Sequence, residues 1–200
     1  TWGKIIEWIN DFIANTGQTY DAIFFDCNPS FSIYTQIALA SSEKIIVPMM
    51  ADDSSRRAVQ NALALVYGLT LPSPIYAEHN FAQRLQAVNR QPPMIHLIVK
   101  NRITQYMGPA SAYAAMLNSI DGTISSELAK NAGFFTFTTI SDAFVEIRDF
   151  QTTGVVAYAK GLPFSKVKKG RQPLIGRTVQ VKKDYLKNCR EDIKNLVEKL

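Results

Sequence analysis

Cysteine is scarce in this 200-residue sequence, and the two present, Cys27 and Cys189, belong to no CxxC or Cys/His cluster. That spacing supports neither a structural zinc site nor a dithiol redox pair, and it fits a reducing cytoplasm best. Long hydrophobic runs are missing too. The longest mainly apolar stretches, such as 62–72, fall short of the roughly 18–20 residues that a membrane span requires. The ten glycines are dispersed and never gather ahead of a Lys-Ser/Thr pair, so these residues contain no backbone cradle for phosphates. The two histidines also lack catalytic company: His96 lies in an apolar run and His79 in a polar Glu-His-Asn stretch, which points to structural roles. The aromatic residues are scattered and form no RNA-stacking pattern. Residues 1–6 read as helix and show no basic, apolar leader.

What is present is globular in composition. Hydrophobic residues make up 46% and charged residues 20%, enough for a buried core and too apolar for wholesale disorder. The expectation is one domain over 1–200, with a basic loop region at 160–184 and a C-terminal helix at 185–200. The net charge of +5 is unevenly spread: residues 160–190 hold ten Lys/Arg against one acid, whereas the 159 residues before them are slightly acidic. Such a run is either a solvated loop or an attraction for a polyanion.

Three short, nearly continuous apolar runs, 22–25, 45–47 and 94–99, predict strands buried on both faces. Helical patterns separate them. Ile5, Ile6, Ile9, Phe12 and Ile13 form one stripe, Ile33, Ile37 and Leu39 a second, and Val59, Ala62, Leu63, Val66 and Leu69 a third, with Asp53, Ser54 or Ser55 as its cap. Further on, 110–117 and 124–132 predict helices, 134–140 is β-rich, and 141–160 predicts one or two more helices. The last stretch places Leu186, Cys189, Ile193, Leu196, Val197 and Leu200 on one helix face. Strands alternating with helices imply a three-layer α/β/α architecture with a mostly parallel sheet. Ligands in such sheets bind beyond the carboxyl ends of the strands. Asp26 and Asn28, then Pro48, Asp52 and Asp53, then Asn101 and Arg102 are therefore expected on one edge.

Asp26 closes an apolar run, where a carboxylate needs solvent, a donor or a cation. Mg²⁺ keeps several waters and uses few carboxylates beside phosphate oxygens, so one strand-terminal Asp suffices; capping the following helix is the competing use. Arg56 and Arg57 sit in a helix's first turn, where the dipole disfavours cations by about 0.3–1 kcal/mol each. Pairing with Asp52 or Asp53 would offset this, as would an external anion, either nucleotide phosphate or DNA backbone.

The order Asp26-Cys27-Asn28-Pro29, then Thr35, Ala38 and Leu39, then a strand ending at Pro48, resembles the ParA family of partition ATPases. That family belongs to the deviant-Walker P-loop group, together with MinD-like proteins. Asn28 stands where many relatives carry another Pro. The resemblance covers roughly residues 18–165 and is strongest between Tyr20 and Pro48. It implies a partial P-loop NTPase fold with ATP and Mg²⁺ as cofactors. Asp26 would be the carboxylate holding the magnesium water shell, Asn28 and Pro29 the switch turn near the terminal phosphate, and Asn101 with Arg102 the adenine-side contact. A turn role after a strand is the alternative for Asn101. Residues 135–140 followed by 141–143 resemble the strand and loop that border the base, with Ser141 where relatives often carry Pro.

In this family a Gly-rich loop with its lysine lies on the N-terminal side of Asp26, so the natural protein is expected to extend upstream of Thr1, and this stretch alone to be inactive as an ATPase. The resemblance further implies plasmid or chromosome partitioning in the cytoplasm at the nucleoid, ATP-dependent homodimerisation, a ParB-like adaptor, and nonspecific DNA binding. Arg56, Arg57, Lys166, Lys168, Lys169, Arg171, Lys182 and Lys183 are the DNA candidates, and a membrane is not an expected partner. The alternatives are a MinD-like membrane-cycling ATPase with the last helix as anchor, and a noncatalytic scaffold that lost the phosphate loop.

Overall fold

The computed structural model describes residues 2–16, 20–27, 30–50, 52–69, 77, 80–104 and 112–200. The elements run α1 (Trp2–Ile6), α2 (Trp8–Thr16), α3 (Ile33–Ala40), β1 (Lys44–Met49), α4 (Asp53–Tyr67), α5 (Phe81–Gln86), β2 (Met94–Ile103), α6 (Ala112–Lys130), β3 (Phe144–Arg148), α7 (Gln151–Lys160), β4 (Gly170–Leu174), β5 (Arg177–Val181) and α8 (Lys183–Val197). The fold is α/β: a parallel sheet in the order β1-β2-β3, flanked by helices, with β4 and β5 as a separate antiparallel hairpin. This is the architecture of a partial P-loop NTPase-like fold.

Two compact units share the chain. The first comprises Thr1–Ile45, Arg57–His96 and Ser125–Thr138. Its packing is aromatic: Phe81 meets Trp2 and Phe31 edge-on, and Tyr67 stacks on Phe134 at 4.2 Å while donating its hydroxyl proton to the Pro93 carbonyl at 2.7 Å. That buried phenol is held neutral, with its pKa pushed well above the ordinary value by desolvation. Arg90 donates to Glu7 through Nε at 2.9 Å and through Nη2, and this holds the Glu7 carboxyl below its usual range. Gly3 permits a close approach, since a Cβ there would lie 3.0 Å from Val88 Cγ1.

The second unit comprises Ile46–Arg56, Leu97–Ile124 and Thr139–Leu200. Here β2 and β3 run in register from Ile98 opposite Phe144 to Lys100 opposite Glu146. Leu97, Val99, Val145 and Ile147 form a buried cluster closed by Ile193 and Leu196 of α8. Burying each such aliphatic side chain contributes about 1.5–3 kcal/mol, so the last helix is docked by its apolar face. A second anchor is polar. Asp192, only 5% exposed, accepts from Arg148 Nη2 at 2.6 Å, from Nε at 3.0 Å and from the Arg148 backbone N–H at 2.9 Å. The buried cluster of Val156, Ala157, Val167, Val181 and Leu186 joins α7, the hairpin and α8.

Four expectations are corrected. Residues 22–27 form no strand; they pair with no ladder among the described residues, and Ile23 and Phe24 are 43% and 67% exposed. Hydrophobicity alone cannot make a strand whose N–H and C=O groups find no partner chain. Residues 134–140 form one isolated bridge, Phe135 to Ile95, followed by turns. The stretch 141–160 holds β3 before its helix, which the helical reading missed, although Val145 and Ile147 are buried and Glu146 exposed in strand alternation. The cap of α4 is Asp52, whose Oδ1 accepts the Ser55 N–H at 2.6 Å. Ser55 Oγ in turn accepts the Met50 N–H at 2.9 Å, so the pair ties the strand exit to the helix start.

Candidate functional site

In the first unit, Asp26 lies on an exposed segment ahead of α3, and among the described residues no hydrogen bond or ion pair engages its carboxylate. It is neither sealed beneath a helix nor used as a cap. Thr35 on α3 instead donates to the Ser30 carbonyl at 2.7 Å, which fixes the turn that leads into the helix. Asn28 and Pro29 lie outside the described residues, as does His79. Desolvation, followed by the neighbouring Asp26 charge, raises the pKa of the Cys27 thiol.

A hard, solvent-facing carboxylate with unengaged oxygens has the donor chemistry of a water-mediated Mg²⁺ ligand. Among the described residues no three His, Cys, Asp or Glu side chains form a cation cluster. Asp26 could hold such an ion through water, and the ion would supply charge neutralisation for phosphate oxygens.

In the second unit, the carboxyl ends of β2 and β3 gather a compact polar group. The register breaks between Lys100 and Ile103, a bulge that re-aims Asn101 and Arg102. Arg102 adopts φ +59°, a left-handed conformation uncommon away from glycine and concentrated at functional sites. The Asn101 Oδ1 accepts the Arg102 N–H at 2.9 Å. Arg102 Nη2 lies 3.8 Å from Asp149 Oδ2. The Asp149 N–H donates to the Ile103 carbonyl at 2.9 Å, and Asp149 Oδ1 accepts the N–H of Gln151, another left-handed residue, at 2.9 Å. Asn101, Arg102, Asp149 and Gln151 are therefore tied together at this strand end.

Asp149 and Gln151 are absent from the sequence-based set. Only the strand alternation of 144–148, which makes Asp149 a strand-terminal carboxylate, could have indicated them. Beneath this group Lys100, 7% exposed, bonds Asp121 at 2.9 Å and lies 4.0 Å from the Phe144 ring centroid, a pairing that satisfies a charge inside the sheet layer.

The basic candidates divide by use. Lys166, Lys168, Lys169, Arg171, Lys182 and Lys183 are all exposed and lie around the hairpin, as does Arg177. None of these has a carboxylate partner among the described residues; Lys182 rests over the Tyr185 ring at 5.3 Å. Three other cations of the run are engaged. Lys160 bonds Gln172 Oε1 at 2.8 Å, Lys187 pairs with Glu191, and Arg190 donates to the carbonyls of Phe164, Ser165 and Val167. Arg57 is exposed near the start of α4, while the Arg56 side chain lies outside the described residues. Two clefts of about 430 and 550 Å³ in the first unit contain none of the candidate residues.

No helix among the described residues is long and apolar enough to cross a membrane. No curated protein and no solved structure matches the chain. Residues 5–70 match the family model AAA_31, described as an AAA domain, a stretch that includes Asp26, Thr35 and Pro48. That match marks a P-loop NTPase-like domain of the ParA/MinD kind.

Proposed function

We propose that this chain is part of a ParA-like partition ATPase that dimerises with ATP, binds DNA without sequence preference, and answers to a ParB-like adaptor. The observation that carries the reading is the family match over residues 5–70, inside which Asp26 stands exposed, with no partner among the described residues. Catalysis of this class is positioning and charge neutralisation at a transferred phosphoryl group. Asp26 would hold the magnesium waters, Asn28 and Pro29 the switch turn, and Asn101 with Arg102 the adenine edge, with Asp149 as their acceptor. The cations from Lys166 to Lys183, with Arg56 and Arg57, would meet phosphates.

Two features favour this over a MinD-like membrane cycle. The apolar face of α8 is spent on the β2–β3 core, and its outer face alternates charges, with Lys187 to Glu191 and Lys194 to Glu198 as i,i+4 pairs.

The 200 residues contain no Gly-rich loop, so alone they should show no Mg²⁺-dependent ATP hydrolysis. With such a loop supplied, in the same reading frame or in trans, hydrolysis should appear, and Asp26→Asn should reduce it at least a hundredfold, on the order of the effect of losing one transition-state electrostatic contact. Undiminished turnover by Asp26→Asn would remove the metal role. Absence of turnover with the loop supplied would favour a noncatalytic scaffold.

A further inference from the structure

The β4–β5 hairpin is a two-stranded ribbon with two different faces. Its register sets Gln172 opposite Val179 and Gly170 opposite Val181, and the apolar members of this face, Leu174, Val179 and Val181, pack into the core that also holds Val156 and Ala157. The opposite face carries Arg171 across from Gln180 and Pro173 across from Thr178, all exposed. Thr152 Oγ1 clamps the ribbon by donating to the Gln180 carbonyl at 2.9 Å. At the tip Gly176 supplies the left-handed residue, φ +76°, of a two-residue turn. The other turn residue is Ile175, fully exposed at a position where polar turn formers are usual.

We propose that this hairpin is a wing that enters the minor groove of duplex DNA, with Ile175 as an apolar wedge and Arg177, Arg171, Lys168 and Lys169 on the flanking phosphates. The proposal rests on the DNA-binding part of the function above and gives it a geometry.

Charge complementarity selects the partner, because the cations around the ribbon have no carboxylate partners among the described residues. The dimensions agree. Arg177, cross-strand from Leu174, begins β5 directly after the turn and is exposed beside the tip. The minor groove is about 6 Å wide and about 7.5 Å deep, so it admits one side chain and leaves Arg177 at the phosphate rim. Apolar side chains placed this way part a base step without reading sequence. A bilayer is the poorer fit: the outer face is polar, and only one large apolar side chain leads.

The test is binding of the 200-residue chain to a duplex of about 25 base pairs, followed by fluorescence anisotropy over a salt series. Ile175→Ser should weaken binding about tenfold with the salt slope unchanged, Ile175→Leu should restore it, and a minor-groove-binding drug should compete. Because the Ile175 side chain is fully solvent-exposed, both variants should melt like the parent. Replacing Lys168, Lys169 and Arg171 by Ala should lower the slope by about 2–3, following roughly 0.9 per phosphate contact. If Ile175→Ser binds like the parent while the triple variant loses its slope, the wedge is overturned and the basic contact stands. If the parent binds no duplex even at low salt, both fail. Preference for anionic vesicles over DNA would also overturn the wedge.

Discussion

Residues 22–25 and 95–99 are both near-continuous apolar runs that end at a polar side chain, yet they have opposite fates. The second is a strand with Ile95, Leu97 and Ile98 at most 2% exposed, laddered to β3 and covered by helices. The first has no ladder among the described residues and leaves Phe24 67% exposed. An apolar run is a demand for cover; whether it becomes a strand depends on what lies beside it.

The sharpest way to break that comparison is a matched pair of truncations. Leu97→Ala should destabilise the chain by about 2–5 kcal/mol through lost burial and a residual cavity, whereas Phe24→Ala should change stability by less than about 0.5 kcal/mol, read by urea unfolding. Equal costs would mean that 22–25 is as well packed as β2. Amide exchange gives the same answer residue by residue: 95–99 protected, 22–27 close to unprotected.

A smaller effect is expected where α8 meets β3. Asp192→Ala removes a buried acceptor of three Arg148 donors and should cost about 1.5–3 kcal/mol, less if the partly exposed guanidinium recovers water. Cys189 gives a chemical readout of the same docking. Burial, with Asp192 next, pushes its thiol up to about 11, so a maleimide at pH 7.5 should label Cys27 and spare Cys189 until α8 is detached.

The smallest effect is titration of the first unit. Glu7 is held below its ordinary value of 4.5, chiefly by the Arg90 hydrogen bond, so its contribution is present above that value and disappears as pH falls through the lower folded value. Stability measured from pH 6 to 3 should fall less in Glu7→Gln than in the parent. The difference should be modest, since both side chains are about a third exposed.

Much of the fold was readable because periodicity is local. The stripes of α1 to α4 and of α8, and the runs that became β1 and β2, carry their signal in consecutive residues. Strand β3 was missed since five residues of alternation, Phe144 to Arg148, are too few to stand out as a period of their own beside the helix that follows. The site was legible in part for the same reason. Asn101 and Arg102 follow an obvious strand, but Asp149 and Gln151 join them only through the pairing of β2 with β3 and the bulge between Lys100 and Ile103.

By itself the amino-acid order determined an α/β chain with a late cationic stretch and an acidic residue at 26, since composition and spacing are one-dimensional properties. Tertiary structure decided which apolar run obtained partners, which of the late cations were consumed by carbonyls and carboxylates, and that Ile175 stands alone at a ribbon tip. Those outcomes depend on hydrogen-bond and packing partners remote in the chain, which no local pattern encodes.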